Sequence, residues 1–151
     1  MSKSGSSLHE KTFELHDTAV LAKTKSILML EDDVSLAFML KHVLQDQNYS
    51  VTVVPSGAEG LKQILNNEFN IILCDMVMPN FPGDMFYRAV ERARPYLCKR
   101  FIFMTGHQGD RKIEQFIRSI RGLMLWKPFE MHVLLEAIQV VLKKTEQQNE
   151  N

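Results

Sequence analysis

Asn70-Ile71-Ile72-Leu73-Cys74-Asp75-Met76-Val77-Met78-Pro79-Asn80-Phe81-Pro82-Gly83 is an apolar run that stops on a carboxylate and enters a loop of prolines and glycine. Residues 71–74 are apolar without interruption, as in a central parallel strand covered on both faces; a half-exposed strand would alternate. Pro79, Pro82 and Gly83 forbid its continuation. Asp75 therefore stands at the C-terminal end of a buried strand. In an open α/β sheet ligands bind outside the carboxyl ends of the strands, which makes Asp75 the first candidate for chemistry. An Asp that merely caps a turn would look the same locally, so the rest of the chain has to decide.

On the N-terminal side, residues 26–30 read as a first strand that ends in Glu31-Asp32-Asp33. Leu36, Met39, Leu40, Val43 and Leu44 then recur at helical spacing, with Asp33 placed to cap that helix, and the pattern fades at Gln47-Asn48. Residues 49–54 form strand two. Pro55-Ser56-Gly57 turns into a second helix with Ala58, Leu61 and Leu65 inward. On the C-terminal side, a third helix puts Phe86, Ala89, Val90 and Ala93 on one stripe and is stopped by Pro95. Strand four, residues 101–104, ends on Thr105-Gly106. A fourth helix over about residues 110–121 carries Ile113, Phe116, Ile117 and Ile120, and Gly122 ends it. Strand five, residues 123–126, ends on Lys127-Pro128. A last helix over about residues 130–144 turns Leu134, Ile138, Val141 and Leu142 inward.

Strict alternation of strand and helix implies a parallel sheet with right-handed crossovers and helices on both faces. Five such units make a flavodoxin-like doubly wound (βα)5 domain of strand order 2-1-3-4-5, spanning 25–144. Residues 1–24 read as a polar tail or linker, in which Phe13, Val20 and Leu21 could share one helical side, and 145–151 as a polar tail. The switch point of this order lies between strands one and three, where Glu31, Asp32 and Asp75 end.

Composition narrows the function. The chain has 151 residues, enough for one well-cored domain, and 18 basic against 18 acidic residues, so no positive field draws it to nucleic acid or an anionic membrane. Its apolar runs fall short of a membrane span and the N-terminus lacks a signal-peptide core, so a cytoplasmic location is expected. Cys74 and Cys98 form no CxxC pair and read as reduced packing residues. His9, His16, His42 and His132 show no metal spacing, and His107 reads as a solvated loop residue.

The strand ends form a constellation: Glu31 and Asp32 after strand one, Asp75 after strand three, Thr105 after strand four and Lys127 after strand five. Carboxylates brought together repel unless a cation sits among them, and a hard divalent ion with oxygen ligands, Mg2+, fits. A hydroxyl and an ammonium on the neighbouring strands would face an oxyanion attached to one carboxylate. The set describes phosphoryl transfer to an Asp.

Over residues 25–144 the chain resembles the receiver domains of two-component response regulators. The resemblance rests on four motifs in order: Glu31-Asp32 after strand one, Asp75 with its Met78-Pro79 and Gly83 loop, Thr105 after strand four, and Lys127-Pro128-Phe129 after strand five. It implies a phosphoacceptor role for Asp75, with the phosphoryl group supplied by a sensor histidine kinase or a histidine phosphotransfer protein. It implies Mg2+ on Asp32, Asp75 and the Val77 backbone carbonyl, with Glu31 acting at the metal directly or through water. Thr105 and Lys127 would contact the phosphoryl group, and Lys127-Pro128 would be cis. No enzymatic activity beyond self-phosphorylation and autodephosphorylation is implied. Downstream target and kinase are not legible, and the resemblance allows a phosphorylation-dependent dimer. Where receivers commonly carry an aromatic switch residue this chain has Met124, on the same sheet face as Trp126, so a smaller rearrangement coupled to Thr105 is expected there.

Three other functions compete. A flavin carrier would need a phosphate loop after strand one, which Glu31-Asp32-Asp33 would repel. A phosphohydrolase of the haloacid-dehalogenase type would place its nucleophile on strand one. A degenerate receiver, binding partners without phosphate, would lack one or more of the site residues, all of which are present.

Overall fold

Ile71–Asp75 forms β3, all five residues of it buried, and it lies between parallel neighbours β1 (Lys25–Leu30) and β4 (Phe101–Thr105). The computed structural model describes residues 24–149. The sequence readings of His9, Phe13, His16, Val20 and Leu21 lie outside them. With β2 (Tyr49–Val54) and β5 (Leu123–Trp126) the sheet has five parallel strands in the order β2-β1-β3-β4-β5, as the alternation predicts.

Five helices follow the strands: α1 (Val34–Asp46), α2 (Gly57–Asn66), α3 (Gly83–Ala93), α4 (Arg111–Ile120) and α5 (Met131–Asn149). Alternate residues of each strand feed opposite cores. Ile27, Met29, Ile71, Leu73, Ile102 and Met104 pack with Leu40 and Leu44 of α1 and Ile138 and Val141 of α5. Leu28, Leu30, Ile72, Cys74, Phe101 and Phe103 pack with residues of α2, α3 and α4. A strand buried on both faces has no room for alternation, which is why residues 71–74 are uniformly apolar.

Capping sets the helix starts. Asp33 accepts the Leu36 N–H at 3.1 Å, as read from the sequence, Ser56 accepts that of Glu59 at 3.3 Å, and Asp110 those of Lys112 and Ile113; such caps contribute about 1 kcal/mol each. Arg121 ends α4 in the left-handed region at φ 54°, and Gly122 N–H closes the turn on the Ile117 carbonyl at 2.9 Å.

Five details differ from the sequence reading. The inward face of α2 is Gly57, Gly60 and Ile64, while Leu65 is half exposed and Ala58 exposed. Glycine carries no hydrophobic signal, yet here it lets the helix sit against Leu30 and Phe86: a Cβ at Gly60 would lie 2.7 Å from a Leu30 methyl. On α1, Met39 is half exposed and Ala37 is buried; on α3, Tyr87 is buried and Ala93 exposed. Residues 95–100, Pro95–Arg100, form a 3₁₀ turn that buries Leu97. Finally, α5 runs on through the segment read as a polar tail, with Thr145 Oγ1 bonded to the Val141 carbonyl at 3.0 Å and Glu146 paired to Lys25 at 3.2 Å. None of the described helices is long and apolar enough to cross a membrane.

Candidate functional site

Parallel strands deliver their C-terminal residues to one edge of the sheet. β1 extends into Glu31, whose N–H pairs with the Val54 carbonyl at 3.1 Å, and β3 ends on Asp75. Glu31, Asp32 and Asp75 each offer a carboxylate oxygen, and these oxygens lie within 4.8 Å of one another. Asp32 is exposed, whereas Glu31 and Asp75 are only 2% and 5% exposed.

Lys127 reaches into this cluster from the end of β5, at a cis Lys127-Pro128 bond. Its Nζ is 2.8 Å from Asp75 Oδ2 and is also bonded to Glu31 Oε1. Sequence reasoning assigned Lys127 to a phosphoryl group only; here it bridges two acids. Three carboxylates gathered around one ammonium leave the site short of positive charge, which a divalent cation would supply. An all-oxygen donor set of this kind suits a hard ion such as magnesium or calcium, so the residues present fit the metal expected from the sequence.

The electrostatics reflect crowding. Burial first, then the hydrogen bond and charge of Asp75, push the Glu31 carboxyl up to about 7, against the opposing pull of Lys127. Burial works to lower Lys127, but its bonds to Asp75 and Glu31 outweigh that and hold the ammonium above its ordinary range. Beneath the site, burial together with the charges of Asp75, Asp84 and Glu31 drives the Cys74 thiol well above its usual range. Cys74 stays protonated and inert, a packing residue.

Backbone groups orient the acids. Val77 N–H donates to Asp75 Oδ1 at 3.0 Å, and Asp33 N–H reaches Glu31 Oε2 at 3.4 Å. Both Asp75 oxygens are thus engaged, one by an amide and one by an ammonium. The loop that follows is tied back by Gly83 N–H on the Met76 carbonyl at 3.1 Å. Gly83 is required there, since a Cβ would come within 2.7 Å of the Asp75 carbonyl oxygen.

Thr105 is fully buried at the end of β4; its Oγ1 accepts the His107 N–H at 3.1 Å and its carbonyl accepts the Lys127 N–H at 2.7 Å. The backbone of Thr105 is therefore tied to the residue that carries the ammonium, while its hydroxyl is held by the His107 amide. Met124 lies opposite Phe103 and Trp126 opposite Thr105 in the β4 and β5 register. Met124 and Trp126 line one side of a cleft of about 240 Å³ against Ile113, Ile117 and Arg118 of α4, which places them on one sheet face as the alternation requires. The bonds of Val77 and Asp33 amides to the acids left no mark in the sequence, because backbone donors carry no residue signature.

Residues 27–139 match the family described as response regulator receiver domain. The transcriptional regulatory protein RprY of Bacteroides fragilis is 29% identical over 118 residues, covering 78% of this chain and 49% of that protein. The sensor kinase CckA of Brucella abortus is 27% identical over 126 residues, covering 82% of this chain but 13% of that protein. The chain thus spans half or less of these two curated relatives. Among solved structures, a CheY-like response regulator receiver domain protein from Methanospirillum hungatei superposes with a TM-score of 0.77 at 27% identity, covering 83% of this chain and 99% of that one. Sheet order, acid cluster, strand-five lysine and sequence match agree: the chain belongs to the response regulator receiver domain family.

Proposed function

We propose that Asp75 is the phosphoacceptor of a two-component phosphorelay and that residues 25–144 are the unit that carries this activity. One juxtaposition supports the reading above all: Asp75, buried at a parallel strand end, has two further acids beside it and the Lys127 ammonium at 2.8 Å. The donor is a phosphohistidine on a sensor kinase or phosphotransfer protein, the partners with which receiver domains pair. An Asp75 carboxylate oxygen attacks phosphorus, the phosphorus–nitrogen bond of the donor breaks, and an acyl phosphate remains on Asp75.

Glu31, Asp32 and Asp75 would hold Mg2+, with the Val77 backbone carbonyl as a further ligand, and the bound ion would offset charge on the phosphoryl oxygens. Lys127 exchanges its contact with the Asp75 carboxylate for one with the phosphoryl group. Thr105 turns its hydroxyl from the His107 amide to donate to a phosphoryl oxygen. Attack of water on phosphorus breaks the bond to the Asp75 oxygen, releases inorganic phosphate and returns the free carboxylate, so the chain's own chemistry consists of taking and losing the group. Val34, 81% exposed, and Phe38, 67% exposed, flank Asp32 and offer the donor protein apolar ground beside the acids. The phosphorylation-independent reading has no such observation in its favour.

Incubation with Mg2+ and acetyl phosphate, followed by intact-mass and peptide analysis, tests the proposal. An acid-labile phosphoryl group on Asp75 is expected, absent without Mg2+ and abolished in Asp75→Asn. Label on another residue with Asp75 unmodified would overturn it.

A further inference from the structure

The loop between Asp75 and α3 is held by a contact that the phosphoryl chemistry does not use. Met76 and Met78 are buried in the core beneath it. Beyond Pro79 the chain doubles back at Asn80, which has φ 65°, and Phe81 N–H donates to the Pro79 carbonyl at 2.8 Å. A three-residue turn with positive φ at a residue other than glycine is the rarer, strained hand of this turn. Such a conformation persists only where its surroundings impose it.

The surroundings are Phe81 and Gly57. Phe81 turns its ring edge-on to Phe86, with centroids 6.5 Å apart, and lies directly over Gly57 at the start of α2. A Cβ at position 57 would fall 2.0 Å from Phe81 Cδ1 and 2.8 Å from Cγ. Gly57 is thus a seat that only the absence of a side chain keeps open, and Ser56 fixes the seat by capping α2. The apolar ring bridges two loops that both border the acid cluster: Pro55, next to this turn, lines the same groove as Glu31 and Asp32.

We propose that Phe81, seated on Gly57, is a positioning residue for the cation and phosphoryl site, holding the loop that carries Val77. The proposal rests on the function inferred above, since Val77 contributes there through its backbone. Val77 N–H already holds Asp75 Oδ1 at 3.0 Å, four residues before the clamp. With the ring unseated, residues 79–81 leave the strained turn, the loop that they close loosens, and the Val77 amide loses its fixed place beside Asp75. The loss falls on preorganisation of the site more than on the core, because Phe81 is only partly buried at the core's edge.

Calorimetric titration with Mg2+ and amide hydrogen exchange of the metal-free protein test it together. Phe81→Ala should weaken Mg2+ binding about tenfold, the lower end of what loss of a supporting partner costs a metal site, and speed exchange of the Val77 amide. Phe81→Leu should recover most of the affinity. Gly57→Ala should reproduce the defect by filling the seat, yet add little in the Phe81→Ala background, where no ring remains to displace. Unchanged affinity and exchange in Phe81→Ala, or full additivity of the two substitutions, would overturn the clamp. If Phe81→Ala does not fold, Phe81→Leu carries the test, with a smaller loss expected and no loss refuting it. A wild-type chain that binds no Mg2+ and takes no phosphoryl group would refute the proposed function instead, and Val77 exchange would still decide the clamp.

Discussion

The two ends of the sheet carry the same kind of pair in opposite settings. At the N-terminal edge Lys25 meets Glu146 at 3.2 Å with side chains 38% and 55% exposed; at the C-terminal edge Lys127 meets Asp75 at 2.8 Å with side chains 20% and 8% exposed. The first pair lies in water, where attraction is screened and ordering two long side chains costs nearly what it returns. The second lies where the dielectric is low, surrounded by further acids, so each charge there sets the protonation and ligand affinity of the others. Parallel strands create this asymmetry, because every crossover returns the chain to the same edge before the next strand begins.

The largest consequence of the contrast is at Glu31. With its carboxyl raised from 4.5 to about 7, the folded chain holds that proton more tightly than the unfolded one. The group's contribution to stability is therefore whole below about pH 4.5 and is lost as the pH rises through about 7. A divalent ion demands the opposite, an ionised Glu31, so Mg2+ affinity should climb with pH by up to about tenfold per unit toward pH 7 and level off above it. Glu31→Gln should flatten that slope and, without metal, raise the melting temperature more at pH 8 than at pH 5. Equal slopes in the two proteins would assign the proton to another group.

A smaller effect is expected one strand further out. Movement of Thr105 toward a phosphoryl group should propagate to Trp126, its register partner, and to Met124 on the same face, shifting Trp126 emission on saturation with Mg2+ and beryllofluoride. Methionine adapts by rotamer changes rather than by a ring flip, so the shift should be modest. If Trp126 emission and the amide resonances of residues 106–124 all stay fixed while binding is verified separately, the α4 and β5 face does not report the site. The smallest effect belongs to the exposed pair: Lys25→Ala should change stability by less than about 1 kcal/mol and leave Mg2+ titrations as they were. A measurable loss of metal affinity there would show that the two edges communicate.

How far the chain could be read in advance follows the same physics. The strands were legible to within a residue, since a parallel strand buried on both faces must be apolar throughout and must stop where Pro, Gly or a charge appears. Asp75, Glu31, Asp32 and Lys127 were legible as a group because topology alone brings strand ends together, and the structure does gather these four. The α2 face was misread, as apolar spacing selected Leu65 while the contact is made by Gly57 and Gly60, residues whose contribution is the space they leave. The continuation of α5 past Lys144 was missed because residues 145–149 are polar, although a polar segment stays helical when its first turn is anchored, as Thr145 and Glu146 are here. The bridging role of Lys127 was missed because it depends on distances between strands far apart in sequence.

The position of the Lys127 ammonium also bears on how the site would be emptied. The ammonium sits against two of the three acids, so a cation bound among them would meet a site partly neutralised from within. Such an ion would be held less deeply than by three bare carboxylates. If Asp75 is the phosphoacceptor proposed above, the same ammonium is poised to return to the carboxylate once the phosphoryl group leaves, and the charge that resets the site would travel on the chain itself.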